Sequence, residues 1–217
     1  MLAHRTAAAS PAAHGAGVDL RPLVAAVLPA GGAGLAAALG MLRAVHVLPG
    51  AFATAVVGPA GAPRGAGVPA GLAFHPAEHA WWQVSLRNRY GEAALETVRR
   101  LRPAVVEVHD SLDVAARLAE RLRPLPVVVI LHSDPQGQRG WAAPARRTFM
   151  LAQATRMATA SAEFRARLLE GVHPAMRRCD LLPDWTGAEA ARGAADALDA
   201  LRQDALKAWS RRLDATI

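Results

Sequence analysis

The apolar run VVVIL (127–131) ends in His132, Ser133 and Asp134, and the run AVVEV (104–108) ends in His109 and Asp110. Imidazole, hydroxyl and carboxylate groups in such positions can exchange protons or hydrogen bonds with a polar ligand. A strand buried on both faces needs no such finish for its own packing. The two polar ends are therefore expected to open into one ligand cleft.

Other residues invite chemistry less directly. Ala30-Gly31-Gly32-Ala33-Gly34 follows an apolar strand and precedes a helix. Glycines let a backbone approach a phosphate or sugar closely, and a helix N-terminus offers free N–H groups. The spacing is neither G-x-G-x-x-G nor a Walker sequence, so a tight structural turn and a binding loop both remain open. His75-Pro-Ala-Glu78-His79 matches the H-x-x-E-H zinc pattern. Pro76 favours the first helical position, which would put His75 at the cap and off the ligating face; no metal site is expected. Of the adjacent indoles Trp81 and Trp82, one is expected in the core and one exposed. Cys179, the single cysteine, lies in RRCDLLP and reads as a buried, inert thiol. It excludes an internal disulfide framework and fits a reducing, cytoplasmic compartment.

The elements that must position these groups alternate along the chain. Strands are expected over 23–29, 53–58, 71–76, 104–109, 127–131, 155–161 and 177–183. Helices are expected over 35–42, 83–101, 112–122, 143–154, 161–170 and 187–213, with Ser111 and Ser161 as N-caps. This alternation implies right-handed crossovers and an α/β, Rossmann-like parallel sheet with helices on both faces. Ligands of such sheets bind beyond the carboxyl ends of the strands, where His109 and His132 would sit. Residues 1–20 read as a disordered lead, 21–186 as the Rossmann-like domain and 187–217 as a helical tail.

Composition limits the partners. The 217 residues are 52% hydrophobic, much of it alanine, with a net charge of +7. Of the 25 Lys and Arg, all but one are Arg. They are spread along helices (Arg99, Arg100, Arg117, Arg121, Arg165, Arg167) without aromatic interleaving, which argues for solvated faces and against nucleic acid. The basic balance leaves a peripheral contact with a membrane surface open. The uncharged stretch 23–42 is broken at its centre by Pro29 and the glycines, and two elements joined by a turn explain it better than a membrane span.

Five segments together resemble the N-terminal domain of GT-B-fold glycosyltransferases, in particular glycosyltransferase family 4. They are the first strand with its Gly31-Gly32 turn, RPAVVEVHDSLDVAARLAERL, PVVVILHSDP, TRMATASAEFRARLLEG and RRCDLLPDWTG. Their order and spacing match from Val24 to about Pro183. In that family the N-terminal half holds the acceptor and the C-terminal half the nucleotide-sugar, and transfer is generally retaining and metal-free. The resemblance implies that Gly31 and Gly32 approach the donor phosphate or acceptor. It implies that His132 lies near the reacting sugar as the catalytic residue, and that His109, Asp110, Ser133 and Asp134 shape the acceptor pocket. No resident cofactor is implied, the nucleotide-sugar being a co-substrate.

The sequence departs from the family in two respects. No Glu-x7-Glu pair, a mark of the donor half, occurs: eight after Glu163 is Gly171, and eight after Glu189 is Ala197. The usual Asn-Gly after Leu-Pro is Asp184-Trp185. The expected function is thus an acceptor-binding half that transfers a sugar to a glycan, lipid or small acceptor with a donor domain on a partner chain. The alternative is a non-catalytic solo domain that binds a glycan or a partner.

Overall fold

Parallel strands covered on both faces must be apolar at successive positions, and the chain supplies such runs at regular intervals. A computed structural model of the chain describes residues 19–60, 67–78 and 89–214. Among the described residues the strands are β1 (Leu23–Val27), β2 (Ala53–Pro59), β3 (Ala73–Ala77), β4 (Val105–His109), β5 (Val127–Leu131), β6 (Arg156–Thr159) and β7 (Asp180–Leu181). They form one sheet in the order β3-β2-β1-β4-β5-β6-β7, every pair parallel. The helices are α1 (Ala33–His46), α2 (Arg89–Leu101), α3 (Leu112–Arg121), α4 (Pro144–Gln153), α5 (Ala162–Leu169) and α6 (Ala188–Asp214). This is the expected α/β architecture. The strand order reverses between β1 and β4, so the crevice beyond their carboxyl ends is the switch point of the sheet.

The two faces differ in what covers them. Val106, Val108, Val127, Val129 and Leu131 pack against Leu95 and Val98 of α2 and Leu112 and Leu118 of α3. Side chains one position along the strands point the other way. Val24, Val105, Val128 and Ile130 therefore meet Met41 of α1 and Leu198, Leu201 and Ala205 of α6. Each fully buried Leu contributes roughly 1.5–3 kcal/mol. The apolar stripe Leu198, Leu201, Ala205 thus fixes α6 along the sheet, and with it every polar side chain that α6 carries.

Several local expectations are corrected. The strand expected over 71–76 is β3, where His75 and Pro76 pair with Val57 and Gly58, so the helical position considered for them in the zinc pattern does not form. Proline is tolerated there because β3 is an edge strand. His79, Trp81 and Trp82 lie outside the described residues, as do the lead 1–18 and the start of the helix expected at 83. Ser111 stands at the N-cap of α3, but its hydroxyl makes no capping bond. The N–H of Leu112, the first helical residue, donates to Oε1 of Gln138, at 3.0 Å. Ser161 does cap α5, accepting from the Phe164 N–H at 3.1 Å. The strand expected over 177–183 is reduced to Asp180–Leu181. Among the described residues no helix is long and apolar enough to cross a membrane.

Candidate functional site

In β4 the residues facing α1 and α6 are Val105, Glu107 and His109; in β5 the same face carries Val128 and Ile130 and leads on to His132. β4 and β5 are hydrogen-bonded neighbours, with His109 opposite Ile130. His109 and His132 therefore meet at the carboxyl rim. His109 Nδ1 lies 3.0 Å from His132 Nε2. The ring planes differ by 5° and the centroids are 5.3 Å apart. With nitrogens so close at that centroid spacing, the rings lie edge to edge, joined by an in-plane hydrogen bond.

The contact continues inward. His109 Nε2 is 2.8 Å from Glu107 Oε1, and Arg202 Nε donates to Glu107 Oε2 at 2.8 Å. Arg202 Nη1 donates to Asp199 Oδ1, and Asp199 Oδ2 accepts from the Ala51 N–H. One polar column thus runs down the α6 face, from the carboxyl rim to a cavity of about 500 Å³ at the opposite rim. Phe52, Asp199 and Arg202 are among the residues lining that cavity. Glu107 and His109 are 0% exposed, Arg202 5% and His132 8%. Burial alone would raise the Glu107 carboxyl, but the Arg202 charge and the His109 hydrogen bond outweigh it and hold it at about 2. Burial first, then the neighbouring His109, lowers His132 from 6.5 to about 3. His132 is therefore a neutral imidazole at neutral pH, and Glu107 a carboxylate.

Asp110 links the strand ends. Its backbone is left-handed, φ 47. Its carboxylate accepts from the His132 and Ser133 N–H groups, each at 2.9 Å, and from the Ser133 hydroxyl. It also reaches the first turn of α1: a Cβ on Gly34 would stand 1.6 Å from Asp110 Oδ2, so only glycine fits there. Gly31 and Gly32 border open space, and φ of Gly32 is 84. A carboxylate from the chain itself thus already faces the positive end of α1.

The expected site residues separate into two groups. Gly31, Gly32, Asp110, Ser133 and His132 converge on the rim. His109 is sealed beneath it, in contact with His132. Asp134 turns aside, accepting from Arg167 Nε at 2.8 Å and from the Gln136 N–H. The segment 136–140 is tied down rather than loose. Gln136 Nε2 donates to the Arg167 carbonyl and to Glu170, and the Trp141 N–H donates to the Gln138 carbonyl.

Glu107 and Arg202 were not singled out in the sequence, and Trp185 was noted there only as a departure from the family pattern. Trp185 sets its ring at 87° to His132, with centroids 5.5 Å apart. A carboxylate inside VVEVH was the available signal, because a doubly covered strand position demands a charged partner. Cys179 is buried, and burial followed by the nearby Asp180 carboxylate pushes its thiol up to about 12, which leaves it unreactive. Among the described residues no group of three or more His, Cys, Asp or Glu is placed to hold a metal ion.

No protein-family model matches the sequence, and no curated protein matches it at a significant level. Among solved structures, the chain is similar to UDP-GlcNAc 2-epimerase from Neisseria meningitidis bound to UDP-GlcNAc. The TM-score is 0.50 at 10% identity, over 90% of this chain and 54% of that one. UDP-N-acetylglucosamine 2-epimerase from Rickettsia bellii gives a TM-score of 0.48 at 13% identity, over 74% of this chain and 44% of that one. Phytolacca americana UGT2 complexed with UDP-2fluoro-glucose and pterostilbene gives 0.48 at 12% identity, over 76% and 54%. The chain spans about half the length of these proteins. Its fold resembles one Rossmann-like half of the GT-B fold of nucleotide-sugar enzymes.

Proposed function

We propose that this chain is the acceptor-side half of a sugar-transferring enzyme of the GT-B type, completed by a donor half on another chain. The observation that carries the reading is the polar rim at the switch point of the sheet. Gly31-Gly32, Asp110, Ser133 and His132 gather there, where folds of this kind bind ligands. The likeness to one half of an enzyme bound to UDP-GlcNAc supports a nucleotide-sugar as the co-substrate. In this reading His132 touches the sugar or acceptor, and Asp110 and Ser133 hold the rim in register. Transfer is hexosyl and retaining, and contact with a membrane surface is peripheral.

The test is calorimetric titration of UDP- and GDP-sugars into the isolated chain and into the chain mixed with candidate donor-half partners. Binding is expected only in the mixture, where transfer should fall about 100-fold in His132→Ala. Tight binding by the isolated chain, or transfer untouched by His132→Ala, overturns the reading. The sealed position of His109 favours one second reading, a non-catalytic module that binds a glycan or a partner at the same rim. Glycan binding with no turnover beside any donor half is its expected signature.

A further inference from the structure

We infer that Glu107 and Arg202 fix the tautomers of both histidines, and that His132 Nδ1 is thereby a hydrogen-bond acceptor for a neutral ligand hydroxyl. The assignment follows from counting protons along the column. Glu107, held by Arg202, is an ionised carboxylate and can only accept, so His109 Nε2 must carry a hydrogen. In a neutral His109 the other nitrogen, Nδ1, is then an acceptor. His132 Nε2, 3.0 Å away, must donate to it. That leaves His132 Nδ1 as a lone pair.

A separate observation points the same way. His132 Nδ1 is buried and has no hydrogen-bond partner among the described residues. An orphaned N–H is rare in protein interiors, and an acceptor short of a donor is less so. The competing arrangement, a charged His109 donating to His132 Nε2, would put an orphaned N–H at that spot.

The consequence is a ligand class. A lone pair at His132 Nδ1 repels phosphate and carboxylate groups and accepts from a hydroxyl. This deepens the sugar-transfer reading and rests on it for the identity of the ligand, but the relay itself does not. Glu107 and Arg202 act through His109 and His132, and are positioning residues. Arg202 sits on α6, 95 residues from Glu107. The packing of α6 on the sheet is therefore what keeps His132 in its accepting form.

The test is nitrogen-15 NMR of the histidine rings at pH 7, through long-range proton–nitrogen correlations. In the native chain both Nε2 atoms should be protonated and both Nδ1 atoms unprotonated. A protonated His132 Nδ1 overturns the relay, and this arm needs no variant. Glu107→Gln sharpens it. Arg202 Nε keeps the amide oxygen, so the amide NH2 turns to His109 Nε2 and forces that atom to accept. Both rings should then invert, moving the proton of His132 from Nε2 to Nδ1. A folded Glu107→Gln chain with unchanged tautomers also overturns the relay.

Methyl glucoside and inorganic phosphate are then titrated separately, following the His132 ring signals. Methyl glucoside should shift them in the native chain, with at least tenfold weaker binding in Glu107→Gln, and phosphate should not. A response to phosphate, or none to methyl glucoside, overturns the hydroxyl assignment. Failure of the sugar-transfer reading is seen separately, in the titrations with donor halves, and leaves the tautomer result standing.

Discussion

The two faces of one sheet are built on opposite terms. On the α2–α3 face Val106, Val108, Val129 and Leu131 belong to an apolar cluster with Leu95, Val98, Leu112 and Leu118, and burial of those side chains is favourable. On the α6 face the same two strands carry Glu107, His109 and His132, side chains that are costly to bury and are held by hydrogen bonds to one another and to Arg202, with His132 Nδ1 and Arg202 Nη2 left without a partner among the described residues. The apolar face needs volume and shape. The polar face depends on its partners jointly, since removing one leaves another buried polar group unmet. The first face can account for the fold without help. The second fixes hydrogen positions at the rim, which a fold alone does not require.

The largest effect that should separate the faces comes from Arg202→Met. It removes the cation and leaves Glu107 as an unpaired charge with 0% exposure. A loss of about 3–5 kcal/mol is expected in urea unfolding. A loss below 1 kcal/mol would mean that the column is not an interdependent unit.

Acid comes next. As pH falls through 6.5 an unfolded His132 takes up a proton, while the folded ring resists until about 3. Stability therefore drops across that window, by about 3 kcal/mol at pH 4, since each unit is worth roughly 1.4 kcal/mol. Glu107 adds to the loss lower down: its contribution is whole above its ordinary 4.5 and disappears as pH approaches 2. His132→Gln should flatten the slope between pH 6.5 and 4.5. An unchanged slope would move its origin away from this column.

The smallest effect marks the difference between a buried and an exposed pair. Arg167 and Asp134 lie 2.8 Å apart with 43% and 34% of their side chains exposed. Arg167→Ala should cost less than about 1 kcal/mol and weaken further in salt. A loss as large as that of Arg202→Met would erase the contrast.

The legibility of the sequence follows the range of the interactions. VVVIL is readable as a covered strand because burial on both faces leaves no polar position in it. Ser161 is readable as a cap because its partner, Phe164, is three residues away. Ser111 offers the same local signal, yet its hydroxyl makes no capping bond, and Gln138, from another loop, accepts from the first helical N–H, that of Leu112. The segment 136–140 has the composition of a free loop, yet Gln136 and Gln138 bind helices packed far along the chain. The site divides the same way. His109 and His132 are visible as polar strand ends, whereas Trp185 became a neighbour of His132 only when the β7–α6 connection folded over the rim.

By itself the sequence determined the alternation of strands and helices, the parallel sheet and the rim at which its polar ends emerge. These depend on periodicity, turns and chain connectivity, which act over a few residues at a time. The tertiary structure alone decided that the two imidazoles share a hydrogen bond and that one is sealed while the other reaches the surface. It also decided that a carboxylate inside a strand is answered by an arginine 95 residues on. Strand register and helix packing set those distances, and a proton's position on a ring depends on tenths of an ångström between groups that only folding brings together.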